Sequence, residues 1–178
     1  KISEKKGLGK YLFYRWRYSE DGLKKLGFIL DEPTYRDASI LIAGKNFGIG
    51  SSRENAVWAL TDFGIRCVIA SSFGDIFYNN ASKNGLLCIK LPEDQVRQLR
   101  ESARSGRLYL TIDLPAQTIT TPAGEVIKFE IEPHIKERLV KGLDDIAITL
   151  SEYGEKIKKF EEGMPRFLMP RPRRFVIE

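Results

Sequence analysis

Between residues 38 and 106 the chain alternates short apolar runs with longer amphipathic stretches. The apolar runs are rich in branched side chains and predict buried strands at 38–44, 66–71 and 86–91. Each run is followed by a stretch with apolar residues at helical spacing, which predicts helices at about 53–63, 72–85 and 92–106. This alternation predicts a parallel sheet that is covered by helices.

Residues that start and stop helices stand at the ends of these stretches. Ser52 is the predicted N-cap of the first helix, and Gly64 stands where a helix-terminating glycine belongs. The third helix begins with Pro92 and two acids and ends with arginine and glycine, an order that suits the helix dipole. These signals support the positions of the predicted helices.

The pattern changes after residue 106. Alternating segments at 108–114, 117–121 and 125–131 predict short antiparallel strands, and helices are predicted at 133–141 and at about 151–162. We therefore expect one α/β domain over residues 1–178, with a mostly parallel core sheet flanked by helices and an antiparallel β insertion. Its predicted parts are a loop and linker region (1–38), a βαβαβα core (38–106), antiparallel strands (107–131), C-terminal helices (132–163) and a basic tail (164–178).

Composition and charge narrow the class of protein. The formal net charge is +5, and no apolar run is long enough to cross a bilayer. The basic tail contains prolines and is more typical of a solvated end than of a nucleic-acid arm, so neither a nucleic acid nor a membrane is an expected partner. No signal-peptide pattern is visible, and the two cysteines do not suggest a secreted disulfide framework. We therefore expect a cytoplasmic protein.

Cys67 and Cys88 lie within apolar runs and are interpreted as reduced core thiols. Two cysteines and one histidine are too few to ligate a four-iron cluster or a closed zinc site. The sequence therefore predicts no metal held by this chain, and any metal chemistry is expected to come from another chain.

The stretch GKNFGIGSSRENAVWALTDFG, residues 44–64, predicts an anion site at the start of a helix. Gly48 and Gly50 can adopt positive φ, Ser51 and Ser52 supply hydroxyl groups, and the Arg53 guanidinium matches a carboxylate in two hydrogen bonds. The glycine spacing fits neither of the two common phosphate-binding fingerprints. The alternative is structural: Ser52 only caps the helix and Arg53 pairs on the surface.

This stretch, together with SFGDIFYNN and NGLLCIKLP after it, resembles the small subunits of bacterial 3-isopropylmalate dehydratases, which are relatives of aconitase. GLGKYLFYRWRY near the N-terminus and FEIEPHIKERLVKGLDDIAITL further on are similar to other parts of that family. The resemblance implies a swivelling β/β/α domain that closes over a substrate bound on a separate large subunit. In that family the large subunit carries a 4Fe–4S cluster.

The resemblance also implies roles for individual residues. Ser51 matches the serine that acts as the catalytic base, while Gly50, Ser52 and Arg53 match substrate-binding positions. The reaction implied is a step of leucine biosynthesis, the dehydration of 2-isopropylmalate to isopropylmaleate and its rehydration to 3-isopropylmalate. The family also has an N-terminal segment with the pattern D-x-x-x-T-D-x-I-I-P, which is expected to help shape the site and does not occur in this sequence.

The choice of substrate is expected to depend on the aromatic segment at residues 7–18. Arg15, Trp16 and Arg17 form a possible substrate-specificity loop: the aromatic side chains suit an isopropyl group, and either arginine could meet a carboxylate instead. The alternative is that the aromatic side chains only pack this segment onto the domain.

Three residues depart from the family pattern: Ile49 replaces a cysteine, Asn55 a histidine and Cys88 a proline. Two further hypotheses therefore stay open. One is a related hydro-lyase small subunit for a dimethylmalate, methylmalate or homoaconitate type of substrate. The other is a partner module without catalytic activity.

Overall fold

The computed structural model describes residues 6–142 and 145–165. The chain has two compact units, one ending at Gly142 and the other beginning at Leu143. Most of the predicted basic tail lies outside the described residues. The assignment of all 178 residues to a single domain stays a prediction.

Residues 6–38, which belong to the predicted loop and linker region, contain three short helical turns. These are a 3-10 turn at Gly9–Tyr11, the one-turn helix α1 (Tyr14–Arg17) and a second 3-10 turn at Ile29–Asp31. Leu8, Leu12 and Leu30 are buried in this region. Apolar burial therefore fixes the segment to the domain although the sequence lacks a long periodic pattern.

The parallel sheet has the predicted architecture. Its strands are β1 (Ile40–Ile42), β2 (Cys67–Ala70) and β3 (Leu87–Lys90), in the order β1-β2-β3. Ile40 pairs with Cys67 and Cys67 pairs with Leu87, and both strand pairs are parallel. The helices between and after them are α2 (Asn55–Phe63), α3 (Asp75–Lys83) and α4 (Glu93–Arg104). All six predicted elements are present, each a few residues shorter than the pattern suggested.

The two faces of the sheet are packed against different layers. Side chains alternate along β2, so that Val68 lies in the core that contains α2 and α3, while Ile69 lies in the core that contains α4. All four residues of β2 are buried, as expected for the central strand of a covered sheet. Gly64 ends α2 with φ 115° and donates its N–H to carbonyls of the last turn, which confirms its predicted role.

The antiparallel part is also confirmed. Strands β4 (Thr111–Asp113), β5 (Thr118–Thr120) and β6 (Val126–Lys128) form a second three-stranded sheet in the order β4-β5-β6. Ile112, Ile119 and Ile127 lie opposite one another across it and face the α4 side of the core. Helix α5 (Pro133–Lys141) follows with proline at its start.

The second unit contains helix α6 (Asp145–Glu162), which begins earlier than the predicted residue 151. Within residues 6–142 and 145–165, no helix combines the length and the apolar character that a bilayer span requires.

Candidate functional site

The stretch singled out in the sequence forms the loop between β1 and α2, here called the serine–arginine loop (residues 44–54). It lies against the loop between β2 and α3. The Phe47 N–H donates to the Ser72 carbonyl at 3.0 Å, and the Gly74 N–H donates to the Phe47 carbonyl at 2.9 Å. Both loops follow parallel strands, so they meet at the carboxyl edge of the sheet, where ligands bind in open α/β folds.

Three residues of this loop have left-handed backbone conformations: Asn46 (φ 59°), Gly48 (φ 78°) and Gly50 (φ 82°). The positive φ expected for the two glycines is confirmed. Gly48 has a second reason to be glycine, because a Cβ atom there would lie 2.3 Å from Cγ of Phe77. A Cβ atom on Gly50 would meet open space.

Asn46 and Ser72 join the two loops, although the sequence pattern did not indicate either residue as part of the site. The Asn46 N–H donates to Ser72 Oγ at 2.8 Å, and Ser72 Oγ donates to Asn46 Oδ1 at 2.9 Å. One signal was available, because asparagine is among the few residues that tolerate the left-handed region. Nothing in the sequence indicated that a serine 26 positions away would be its partner.

The four predicted site residues occupy one exposed turn. Ser51 is half-buried, while Gly50, Ser52 and Arg53 are exposed. The Ser51 N–H donates to the Gly48 carbonyl at 3.1 Å, and Ser51 Oγ donates to the Arg53 carbonyl at 3.3 Å. Within the described part of the chain no side chain pairs with the Arg53 guanidinium. Arg53 is therefore not engaged in the surface pair that the structural alternative assumed.

The predicted helix cap at Ser52 is wrong. Helix α2 begins at Asn55, and its N-cap position is Glu54, which is already helical in conformation and makes no side-chain cap hydrogen bond. Among residues 6–142 and 145–165, nothing accepts the N–H groups of residues 52–57; the first paired one is the Trp58 N–H, which donates to the Glu54 carbonyl. Unpaired N–H groups at a helix start, together with a free guanidinium, can bind an anion.

The N-terminal segment borders the serine–arginine loop. An apolar cavity of about 410 Å³ lies between them. The segment contributes Leu8, Tyr11, Leu12 and Phe13 to its wall, and Phe47, Gly48 and Asn55 are on the other side. The segment is tied to α2 because the Gly9 N–H donates to an Asp62 carboxylate oxygen at 2.7 Å.

Arg17 holds this segment together from inside. Its side chain is 8% exposed and forms an ion pair of 2.8 Å with Asp31. The same guanidinium donates to the carbonyls of Gly9, Lys10 and Leu12. From its sequence context Arg17 is a possible contact for a substrate carboxylate; the structure gives its guanidinium these internal partners instead.

Arg15 and Trp16 are exposed, and neither lines the apolar cavity. The Trp16 ring is stacked on Phe13 with ring centroids 5.4 Å apart, and Phe13 also contacts Phe28. Aromatic packing of the segment, which was the alternative interpretation, thus describes part of what is observed. A specificity role for Arg15 and Trp16 stays a prediction.

The Asp31 carboxylate provides a test of how firmly the segment is held. Hydrogen bonds from Arg17, and further from Lys24, keep the pKa of Asp31 below its usual value although burial opposes this. A lowered folded-state pKa adds stability above the unfolded-state pKa, and that stability is lost as the pH falls through the folded-state value. Asp31 therefore stabilises the fold at neutral pH and progressively less below about pH 5.

We expect Asp31→Asn to lower the free energy of unfolding at pH 7 by about 1.5–3 kcal/mol, the usual worth of hydrogen bonds to a charged group. The difference in stability between the variant and wild type should shrink toward pH 3, because protonation of Asp31 removes its stabilising contribution in wild type as well. Urea unfolding across this pH range measures both. Asp37→Asn is the matched control, because Asp37 pairs with Arg107 at the exposed surface and should contribute little. An equal loss in both variants at pH 7 would contradict the role of Asp31.

Both cysteines are buried, Cys67 in the core with α4 and Cys88 in the core with α2 and α3. Burial raises the pKa of both thiols, that of Cys88 to about 12. Among the described residues, no three side chains of histidine, cysteine, aspartate or glutamate are grouped as a metal site. The two thiols lie in separate cores and so do not form a shared pair of ligands.

Comparison with known proteins gives consistent matches. The Aconitase C-terminal domain family matches residues 1–94, and the LeuD_N family matches residues 99–133. The 3-isopropylmalate dehydratase small subunit of Paramagnetospirillum magneticum is 53% identical over 164 residues, covering 92% of this chain and 81% of the relative. That of Lactococcus lactis is 53% identical over 162 residues, covering 91% and 83%.

A crystal structure of 3-isopropylmalate dehydratase (leuD) from Methanocaldococcus jannaschii has the same fold. It aligns with a TM-score of 0.52 and 33% identity, and the alignment covers 70% of this chain and 68% of that one. The family-model matches and the relatives together show that the chain belongs to the 3-isopropylmalate dehydratase small-subunit family of the aconitase superfamily.

Proposed function

We propose that this chain is the small subunit of a cytoplasmic hydro-lyase that interconverts 2-isopropylmalate and 3-isopropylmalate through isopropylmaleate. The observation that carries the proposal is the exposed serine–arginine loop, in which a serine hydroxyl, a free guanidinium and unpaired N–H groups occupy one turn. This turn offers a base and an anion site to a substrate bound on another chain.

Ser51 is the proposed base that removes the proton next to the departing hydroxyl group. Among the residues that the structure describes, its Oγ makes one weak hydrogen bond, to the Arg53 carbonyl, so the hydroxyl can turn toward a substrate at small cost. An alkoxide at this position would be stabilised by the unpaired N–H groups at the start of α2 and by the positive charge of Arg53. In the reverse direction the same hydroxyl returns the proton.

Arg53 is the proposed carboxylate-binding residue, since its planar guanidinium can form two parallel hydrogen bonds to a carboxylate. Ser52 adds a hydroxyl donor, and Gly50 leaves the backbone open to close approach because nothing occupies the space beside it. Fixing one carboxylate in this way would orient the reacting carbon toward Ser51.

The iron–sulfur cluster expected in this family is proposed to belong to a large-subunit partner, because both thiols of this chain are buried on separate faces of the sheet. When bound there, it would supply a Lewis acid for the hydroxyl that leaves. The small subunit would then contribute the base and the carboxylate site.

The test is reconstitution with the large subunit from the same source, with the cluster rebuilt without oxygen and isopropylmaleate followed by its ultraviolet absorbance. Turnover supports the proposal. A stable complex that acts instead on dimethylmalate, methylmalate or a homoaconitate-type acid would identify a related hydro-lyase. A complex that turns over none of these acids would identify a partner module without catalytic activity.

Arg53→Lys tests the carboxylate site in the same assay. We expect kcat/KM to fall about 10–100-fold, which corresponds to the loss of about 1.4–2.7 kcal/mol, because lysine keeps the charge but not the two-pronged geometry. Lys45→Arg, at an exposed position of the same loop, is the control for a general change of charge or size. Steady-state kinetics in which Arg53→Lys matches wild type would remove Arg53 from the site.

A further inference from the structure

In addition to the two backbone hydrogen bonds of Phe47, a pair of polar residues holds the N-terminal end of the serine–arginine loop. Ser72 Oγ accepts the Asn46 N–H at 2.8 Å and donates to Asn46 Oδ1 at 2.9 Å, so one hydroxyl group satisfies both the backbone and the side chain of Asn46. Asn46 is exposed, so these two hydrogen bonds are the contacts that its side chain and N–H make with the β2–α3 loop.

Asn46 needs such support because of its backbone. Its φ of 59° lies in the left-handed region, which asparagine tolerates better than most residues but adopts less freely than glycine. Gly48 and Gly50 have the same left-handed conformation, but glycine has no Cβ atom and adopts it without steric cost. Asn46 is thus a position at which the path of the loop depends on a side-chain partner, Ser72.

Two consecutive turns connect the backbone of Asn46 to Ser51, the proposed base. Asn46 accepts the Ile49 N–H through its carbonyl at 3.1 Å, and Gly48 accepts the Ser51 N–H at 3.1 Å. A change in φ at Asn46 would alter the first of these turns, and the second turn, which holds Ser51, overlaps it at Gly48 and Ile49. We propose that Ser72 is a positioning residue which, through Asn46, sets the location of Ser51 for catalysis.

This inference rests on the proposed function, and Ser72→Ala tests it in the reconstituted enzyme. We expect kcat to fall about 10–100-fold while KM and the thermal midpoint stay near wild type, because a displacement of about 1 Å is enough for such a loss. Ser72→Thr keeps the hydroxyl and should restore most of the rate.

Ser71→Ala is the matched control. Ser71 is the adjacent residue and is equally half-buried, but its hydroxyl bonds Glu93 at the start of α4 rather than the loop. Its kcat should stay within about twofold of wild type. Equal losses in Ser71→Ala and Ser72→Ala, or a thermal midpoint that falls in parallel with kcat, would overturn the positioning role.

Two variants of Asn46 test the backbone argument. Asn46→Gly should retain more activity than Asn46→Ala, because glycine adopts positive φ freely and its N–H can still bond Ser72. The reverse order would overturn the inference.

A measurement without turnover separates this inference from the proposed function. Amide NMR of the full chain should show shifted resonances for Gly48 to Ser51 in Ser72→Ala and unshifted ones in Ser71→Ala. If the loop resonances do not move, Ser72 does not position the loop, whatever reaction the enzyme performs. If they move but wild type does not turn over isopropylmaleate, the proposed function and with it the catalytic role of Ser72 fail.

Discussion

Replacing Ser51 by alanine is expected to lower kcat of the reconstituted enzyme by about 10²–10⁴-fold, the usual contribution of a positioned acid or base. KM should change little, because alanine leaves the Arg53 guanidinium and the backbone N–H groups in place. Stability should also change little, since Ser51 Oγ makes one long hydrogen bond, to the Arg53 carbonyl at 3.3 Å. Steady-state kinetics and thermal unfolding of the same preparation measure these quantities.

Two other serine variants serve as a comparison and a control for Ser51→Ala. Ser52→Ala removes a proposed substrate donor and should raise KM more than it lowers kcat. Ser102→Ala removes an exposed hydroxyl in α4 that donates to the Gln98 carbonyl of its own helix, and it should behave as wild type. Retention of more than a tenth of the wild-type kcat in Ser51→Ala would mean that the base is another group.

Gly48→Ala is expected to lower the free energy of unfolding by about 2–5 kcal/mol. Of this, about 1–2 kcal/mol comes from placing a side chain on a left-handed backbone. Overpacking costs about 1–3 kcal/mol more, because the new Cβ atom would lie 2.3 Å from Cγ of Phe77. Phe77 is 1% exposed and packs against Phe47 and Phe73, so it has little room to withdraw. Urea unfolding with two optical probes measures the loss.

Gly50→Ala separates the two contributions to this loss. Its φ of 82° is close to that of Gly48, but a Cβ there meets nothing within 4 Å, so only the backbone cost of about 1–2 kcal/mol should remain. The double variant Gly48→Ala/Phe77→Leu should lose less stability than the sum of its single variants, because leucine frees space for the new methyl group. Equal losses at Gly48 and Gly50 would show that the contact with Phe77 is unimportant.

Much of the fold could be predicted because its signals are local. Residues 67–70 form a continuous apolar run that is fully buried as β2, and residues 133–141 form the predicted helix α5. The ends of elements were less predictable. At Ser52 the composition indicated a cap, but α2 begins at Asn55 and its N-cap position is Glu54, because the chain continues as a loop through residues 52 and 53.

In the candidate site, too, local features could be predicted from the sequence and long-range contacts could not. The positive φ of Gly48 and Gly50 followed from residue type, whereas the pairing of Asn46 with Ser72 joins two loops that only the parallel sheet brings together. Arg17 is the clearest example of a residue whose role could not be predicted from the sequence. An arginine among aromatic residues suggested a ligand contact, but whether Asp31 would lie within reach depends on how residues 18–30 fold back.

The burial of both thiols has a practical consequence. The thiolate is the reactive form of cysteine, and here solvent reaches only 4% of Cys67 and 5% of Cys88 while burial disfavours ionisation. Alkylating reagents should therefore label the native chain very slowly. Because the two cysteines lie on opposite faces of one sheet, labelling of either becomes a reporter of the opening of that face. The natural sequence thus contains two internal probes of local unfolding, one for each layer of the core.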